Sequence, residues 1–201
     1  MDDWQLRVYI QEVVNQAELV DMAERELRSS VTTPSQETVS RAFMSAQSIL
    51  GASGMLSKLL WPNPASMDHH GQPLTGEAEQ ERIRTLDRGK ALRKILVKKG
   101  DNELLERNRT VRNAFEHFDE RLDTFVEEES HRSRNIFDRN IGPPGFILVD
   151  GAEPRHLRRI DPTNWTVSVL DSSVDLLSLI AVIRAIRGRA EAWLQNHRRI
   201  V

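Results

Sequence analysis

Arg112-Asn113-Ala114-Phe115-Glu116-His117-Phe118-Asp119-Glu120-Arg121 is the stretch whose reading decides the fold. Around it Leu104, Val111, Phe115, Phe118, Leu122 and Phe125 recur at steps of three, four or seven residues. That spacing predicts an amphipathic helix, over about 102–131, laying one stripe on a core. Off the stripe stand Arg112, Asn113, Glu116, His117 and Arg121, none of which packing requires. Arg107, Arg109, Arg112 and Arg121 make the first part basic, and Glu127, Glu128 and Glu129 make the end acidic. The positive charge therefore gathers beside Asn113 and His117, where it suits a phosphate.

The same periodicity extends outward. Leu6, Ile10, Val13, Ala17, Val20 and Leu27 predict a helix over 3–28, its start complemented by Asp2 and Asp3. Thr33 as cap, Pro34 in the first turn and Gln36 as the returning partner predict the next helix start. Val39, Phe43, Ala46 and Leu50 continue that helix, with Gly51 and Gly54 as points of bending. A third helix is expected over 77–99, acidic at its start and basic at its end, as the macrodipole favours. Between them, Pro62, Pro64, Gly71, Pro73 and Gly76 make 61–76 a loop. Its length suits a mobile segment, and Asp68-His69-His70 within it lacks the further ligand spacing of a metal site.

After 135 the texture changes. Gly142-Pro143-Pro144-Gly145 breaks any helix. The runs 146–149, 157–160 and 165–170 read as short strands, the last two joined by Asp161-Pro162-Thr163-Asn164. Ser172 to Asp175 reads as a capping box opening a last, strongly apolar helix to about 197. The expected fold is mainly α: an up-and-down helical bundle of about five helices. A small antiparallel β-hairpin or meander, at about 145–171, is inserted before the last helix, all within one domain spanning 1–201.

Composition limits the chemistry. A net charge of −2 provides no global basic field, so contact with RNA must come from a local patch. Cysteine is absent, which removes disulfides, thiol nucleophiles and cysteine-based zinc sites. Met1-Asp2-Asp3-Trp4 is no signal peptide, and the apolar run 174–186 is broken by Asp175, Ser178 and Arg184. A cytoplasmic chain without a membrane span is expected. There is no P-loop, nucleophile elbow or zinc-protease motif, and no helix-turn-helix with a basic recognition helix. Asp119 and Asp123, one turn apart, read as solvated surface.

Arg112 and His117 frame four residues, with Asn directly after the Arg. This resembles the R-x4-6-H motif of the HEPN superfamily, helical bundles of which many are metal-independent ribonucleases and others only bind or scaffold. The resemblance covers this helix and the general bundle layout. It implies His117 as acid/base, Arg112 as phosphate clamp and Asn113 as an orienting group, facing a second such motif across a homodimer. Arg109 and Arg121 are the flanking candidates for substrate binding, and no metal or cofactor is implied. The resemblance further implies single-stranded RNA as substrate and a toxin–antitoxin or defence setting, with an antitoxin or other protein as partner. Asp119 stands where some family toxins carry a modifiable Tyr, so that form of control is not expected. The alternative is a catalytically inactive helical protein–protein interaction module, in which Glu116 and Glu120 neutralise Arg112 and Arg121.

The chemistry fits these residue types. RNA's own 2′-hydroxyl can attack the adjacent phosphate, given a group near neutral pKa to move protons and a cation to hold the phosphate. Helix geometry adds a condition. At about 100° per residue, Arg112 and His117 stand about 140° apart, whereas Asn113 and His117 share a face. Arg112 must reach round, or the helix must be irregular, or a second molecule must complete the site.

Overall fold

Asp2 starts the first helix: its carboxylate accepts the Gln5 N–H at 2.8 Å, and the Gln5 side chain accepts the Asp2 N–H at 3.2 Å. A computed structural model describes residues 2–33, 35–101, 103, 105, 113, 117–127 and 135–197. Among these the helices are α1 (Asp3–Thr32), α2 (Gln36–Leu60), α3 (Gly76–Leu96), α4 (Phe118–Glu127) and α5 (Leu176–Asn196). The chain is mainly helical, with a small strand-bearing region before the last helix. No helix among the described residues is long and apolar enough to cross a membrane.

α1 and α2 run antiparallel in close contact. Ala17, Ala42, Ala46, Ser45 and Ser53 are buried, as are Ile10, Val13, Val20, Leu27, Ile49, Leu50, Leu56 and Leu60. Each large aliphatic side chain so buried contributes about 1.5–3 kcal/mol. α5 closes the core with Leu176, Leu179, Ile180, Ile183 and Ile186. Ion pairs fix its register on α1: Arg184 binds Asp21 and the buried Glu24, and Arg187 binds Glu18 and Asp21.

Several helix boundaries differ from the sequence reading. α1 runs through to Thr32, and Thr33 becomes its C-terminal boundary. The capping box of α2 is Ser35 with Thr38 rather than Thr33 with Gln36. Ser35 Oγ accepts the Thr38 N–H, and Thr38 Oγ1 accepts the Ser35 N–H at 2.6 Å. Gly51 and Gly54 lie inside a helix that continues to Leu60, and α3 ends at Leu96 rather than 99. The loop after α2 is pinned at its root: Arg93 donates to the Leu60 carbonyl and Pro62 seats against Gly89. Further on, the Asp68 carboxylate accepts the backbone N–H groups of His70 and Gln72.

The sheet departs most from expectation. Residues 146–149 form no strand; Val149 makes one bridge to Ala152, and Phe146 and Leu148 are exposed. The strands are β1 (Ile136–Phe137), β2 (Asn140–Ile141), β3 (Arg155–His156), β4 (Arg158–Asp161), β5 (Thr166–Val169) and β6 (Ser172–Asp175). The main sheet is ordered β2-β4-β5-β6, with β2 parallel to β4 and the other pairs antiparallel. β1 and β3 form a separate parallel pair. The sheets are thus mixed rather than wholly antiparallel. Ser172 to Asp175 is a strand, with Asp175 alone capping α5 by accepting the Ser178 N–H at 3.0 Å. Ile160, Val167, Val169 and Val174 turn one sheet face into the core. Arg28 of α1 lies 4.3 Å over the Trp165 ring at the sheet's edge.

Candidate functional site

Asn113, His117 and Arg121 are linked by backbone hydrogen bonds of helical spacing. His117 N donates to the Asn113 carbonyl at 2.9 Å, and Arg121 N donates to the His117 carbonyl at 3.2 Å. Asn113, His117 and Arg121 therefore follow one another turn by turn on a single face. Asn113 is exposed, and the His117 side chain keeps 57% of its surface. Arg109 and Arg112 lie outside the described residues.

Of the expected stripe, Phe118, Leu122 and Phe125 are described, while Leu104, Val111 and Phe115 lie outside the described residues. Phe125 is buried, Phe118 and Leu122 are half-buried, and Leu105 is fully buried in the core. Two contacts seat α4 on the sheet. Arg158 lies 4.7 Å over the Phe118 ring, held by a fork to Asp138, and Arg121 Nη1 donates to Ser172 Oγ at 3.4 Å. Burial pushes the Asp138 carboxyl up, but the Arg158 fork and Arg139 outweigh it and hold the group below its usual value.

Glu120 does not meet Arg121. Its Oε1 lies 3.5 Å from His117 Nδ1, close enough to orient the ring. Asp119 and Asp123 are exposed, and among the described residues no three His, Asp or Glu side chains converge as metal ligands.

Sequence reasoning missed a cleft of about 350 Å³ beside α4, lined by Phe125 and by residues of β3 to β6. His156, with a side chain only 10% exposed, lies in its wall. Burial and the Arg159 charge lower the His156 pKa, against the opposing pull of Glu153. Glu153 Oε1 takes a bond from Arg159 at 2.9 Å and lies 3.9 Å from His156 Nε2. The signal in the sequence is Glu153-Pro154-Arg155-His156 followed by Arg158 and Arg159, a charged cluster in a strand-forming region.

An apolar groove runs between α1 and α2. Leu19, Met22, Met44 and Met55 line it, and Met44 is 68% exposed. Comparison of the chain with protein-family models, curated proteins and solved structures finds no match.

Proposed function

We propose that the chain is a HEPN-like protein that cleaves single-stranded RNA without a metal ion, in a toxin–antitoxin or defence setting. The observation that carries this reading is the shared face of Asn113, His117 and Arg121, on which Asn113 and His117 are exposed. His117 shuttles the proton between the 2′-hydroxyl and the leaving 5′-oxygen. Its neighbour Glu120 orients the ring, Asn113 positions the substrate and Arg121 draws the phosphate toward the helix. Arg112 supplies the clamp by resemblance, and a second copy across a homodimer brings the opposing motif.

The experiment is cleavage of labelled single-stranded RNA in EDTA by the wild type and by His117→Ala. The expected result is cleavage by the wild type alone, leaving 2′,3′-cyclic phosphate ends. Equal cleavage by both proteins removes His117 from the reaction.

A second reading, an inactive interaction module, is favoured by the α1–α2 groove. Four exposed apolar side chains cluster there, three of them flexible methionines suited to a partner helix. It predicts no cleavage by either protein, and self-association or partner binding that Met44→Glu disrupts.

A further inference from the structure

The cleft between α4 and the sheet has a composition that neither the core nor the motif needs. Cross-strand register pairs Arg159 with Ser168 and Ser168 with Ser173, which puts all three on one face of the sheet. That face is opposite the row Ile160, Val167 and Val174, which is buried in the core. Phe125 closes the cleft from α4, with Leu170 and Pro154 adding apolar wall. The charges of Arg155 and Arg159 on one hand, and of Glu153 and Asp171 on the other, balance in its lining. A balanced set of donors and acceptors is a poor trap for a phosphate, which needs surplus positive charge. It is a good match for a neutral planar ring whose edges carry both donors and acceptors.

Two buried polar atoms in the wall, Arg155 Nε and His156 Nδ1, have no hydrogen-bond partner among the described residues. Buried polar groups are otherwise nearly always paired. Both are shielded from solvent, so pairing either takes a rotation of its side chain into the cleft. Asp171 is exposed and makes no hydrogen bond or ion pair to a described residue.

We propose that this cleft is a base-recognition pocket that takes a guanine ring. Guanine alone among the four RNA bases offers two adjacent acceptors on one edge and two adjacent donors on another. Arginine donates in a fork to the first, and a carboxylate accepts from the second. Arg155 supplies the fork, Asp171 the carboxylate, and Phe125 with Leu170 the apolar wall. Arg121 bridges the sites: its backbone is one turn from His117 and its guanidinium is on Ser172 at the cleft's edge. A strand bound at His117 can therefore place a neighbouring unstacked base in the cleft. That the base comes from an RNA strand rests on the RNA reading above; the chemistry of the pocket does not.

The test uses the full chain and four nucleosides, with single-stranded oligonucleotides containing or lacking guanine. The imidazole resonances of His156 in NMR spectra report the cleft, and titration gives affinities. Guanosine is expected to shift the His156 signals, and Asp171→Asn to weaken guanosine by about tenfold or more with the spectrum of the folded core unchanged. His117→Ala is expected to keep guanosine binding. Binding of guanosine without binding of the oligonucleotides leaves the pocket standing and overturns the RNA reading. No response of His156 to any base, or unchanged affinity in Asp171→Asn, overturns the pocket, even if the protein cleaves RNA.

Discussion

Replacing Gly89 by Ala tests how the root of the 61–75 loop is seated on α3. In an open stretch of helix this change stabilises by about 1 kcal/mol, because alanine loses less backbone freedom on folding. At Gly89 there is no room. An ideal Cβ would lie 2.5 Å from Pro62 Cδ, 2.8 Å from Pro62 Cγ and 3.0 Å from the Leu60 carbonyl oxygen. Comfortable carbon contacts are about 3.5–4.0 Å, so the overlap approaches 1 Å. The proline ring cannot rotate away, and the Leu60 carbonyl is held by Arg93. Relief requires the end of α2 to move off α3 and stretch that charge-assisted bond. Overpacking of this kind costs about 1–3 kcal/mol, with the backbone obstacle placing Gly89 at the upper end. After the helix gain is subtracted, Gly89→Ala should destabilise by about 1–2 kcal/mol, or about 2–8 °C in Tm for a chain of this size. Gly188 is the control: it is exposed in α5 and a Cβ there meets nothing within 4 Å. Gly188→Ala should stabilise by about 0.5–1 kcal/mol. Paired denaturant titrations read both. Gly89→Ala as stable as the wild type would refute the seating of Pro62 on α3.

Arg184→Met should destabilise by about 1–3 kcal/mol, since it leaves the buried Glu24 with Arg28 as its remaining partner; a smaller change in the denaturation midpoint would show that Arg28 alone suffices. Asp175→Ala removes the cap of α5 and should cost about 1 kcal/mol, read as a lower Tm, with Asp175→Ser recovering most of it. His156 gives a pH dependence. Its folded pKa is below its ordinary value, so between the two values the unfolded chain binds the extra proton. The stability it permits is therefore complete above about pH 6.5 and is lost as pH falls toward the folded value. Denaturation midpoints should drop from pH 7.5 to pH 5.5 more steeply in the wild type than in His156→Gln, and parallel profiles would refute the assignment.

The helices were legible because their signal is local. Ile10, Val13, Ala17, Val20 and Leu27 declare the buried side of α1 wherever the rest of the chain lies, and all five are buried. Phe118, Leu122 and Phe125 did the same for α4. The strands were less legible because a strand is defined by its partners. Phe146 to Val149 has the right residues and no neighbour to pair with, whereas the hydroxyl-rich Ser172 to Asp175 looks like a helix cap yet completes the sheet beside β5. The same reason hid the cleft. Arg155, Arg159, Ser168 and Ser173 come from four strands, and their meeting depends on a register that no single stretch encodes.

By itself the sequence determined a mainly helical chain, the buried stripes of α1 and α2 and the common face of Asn113 and His117. These depend on 3.6-residue periodicity, which is set within a few turns of backbone. The tertiary structure alone decided where α4 rests, that Arg121 turns to Ser172 while Glu120 lies beside His117, and that a charge-balanced cleft opens against Phe125. Those features arise from contacts between residues far apart in the chain, where packing and strand register select among pairings that are locally equivalent.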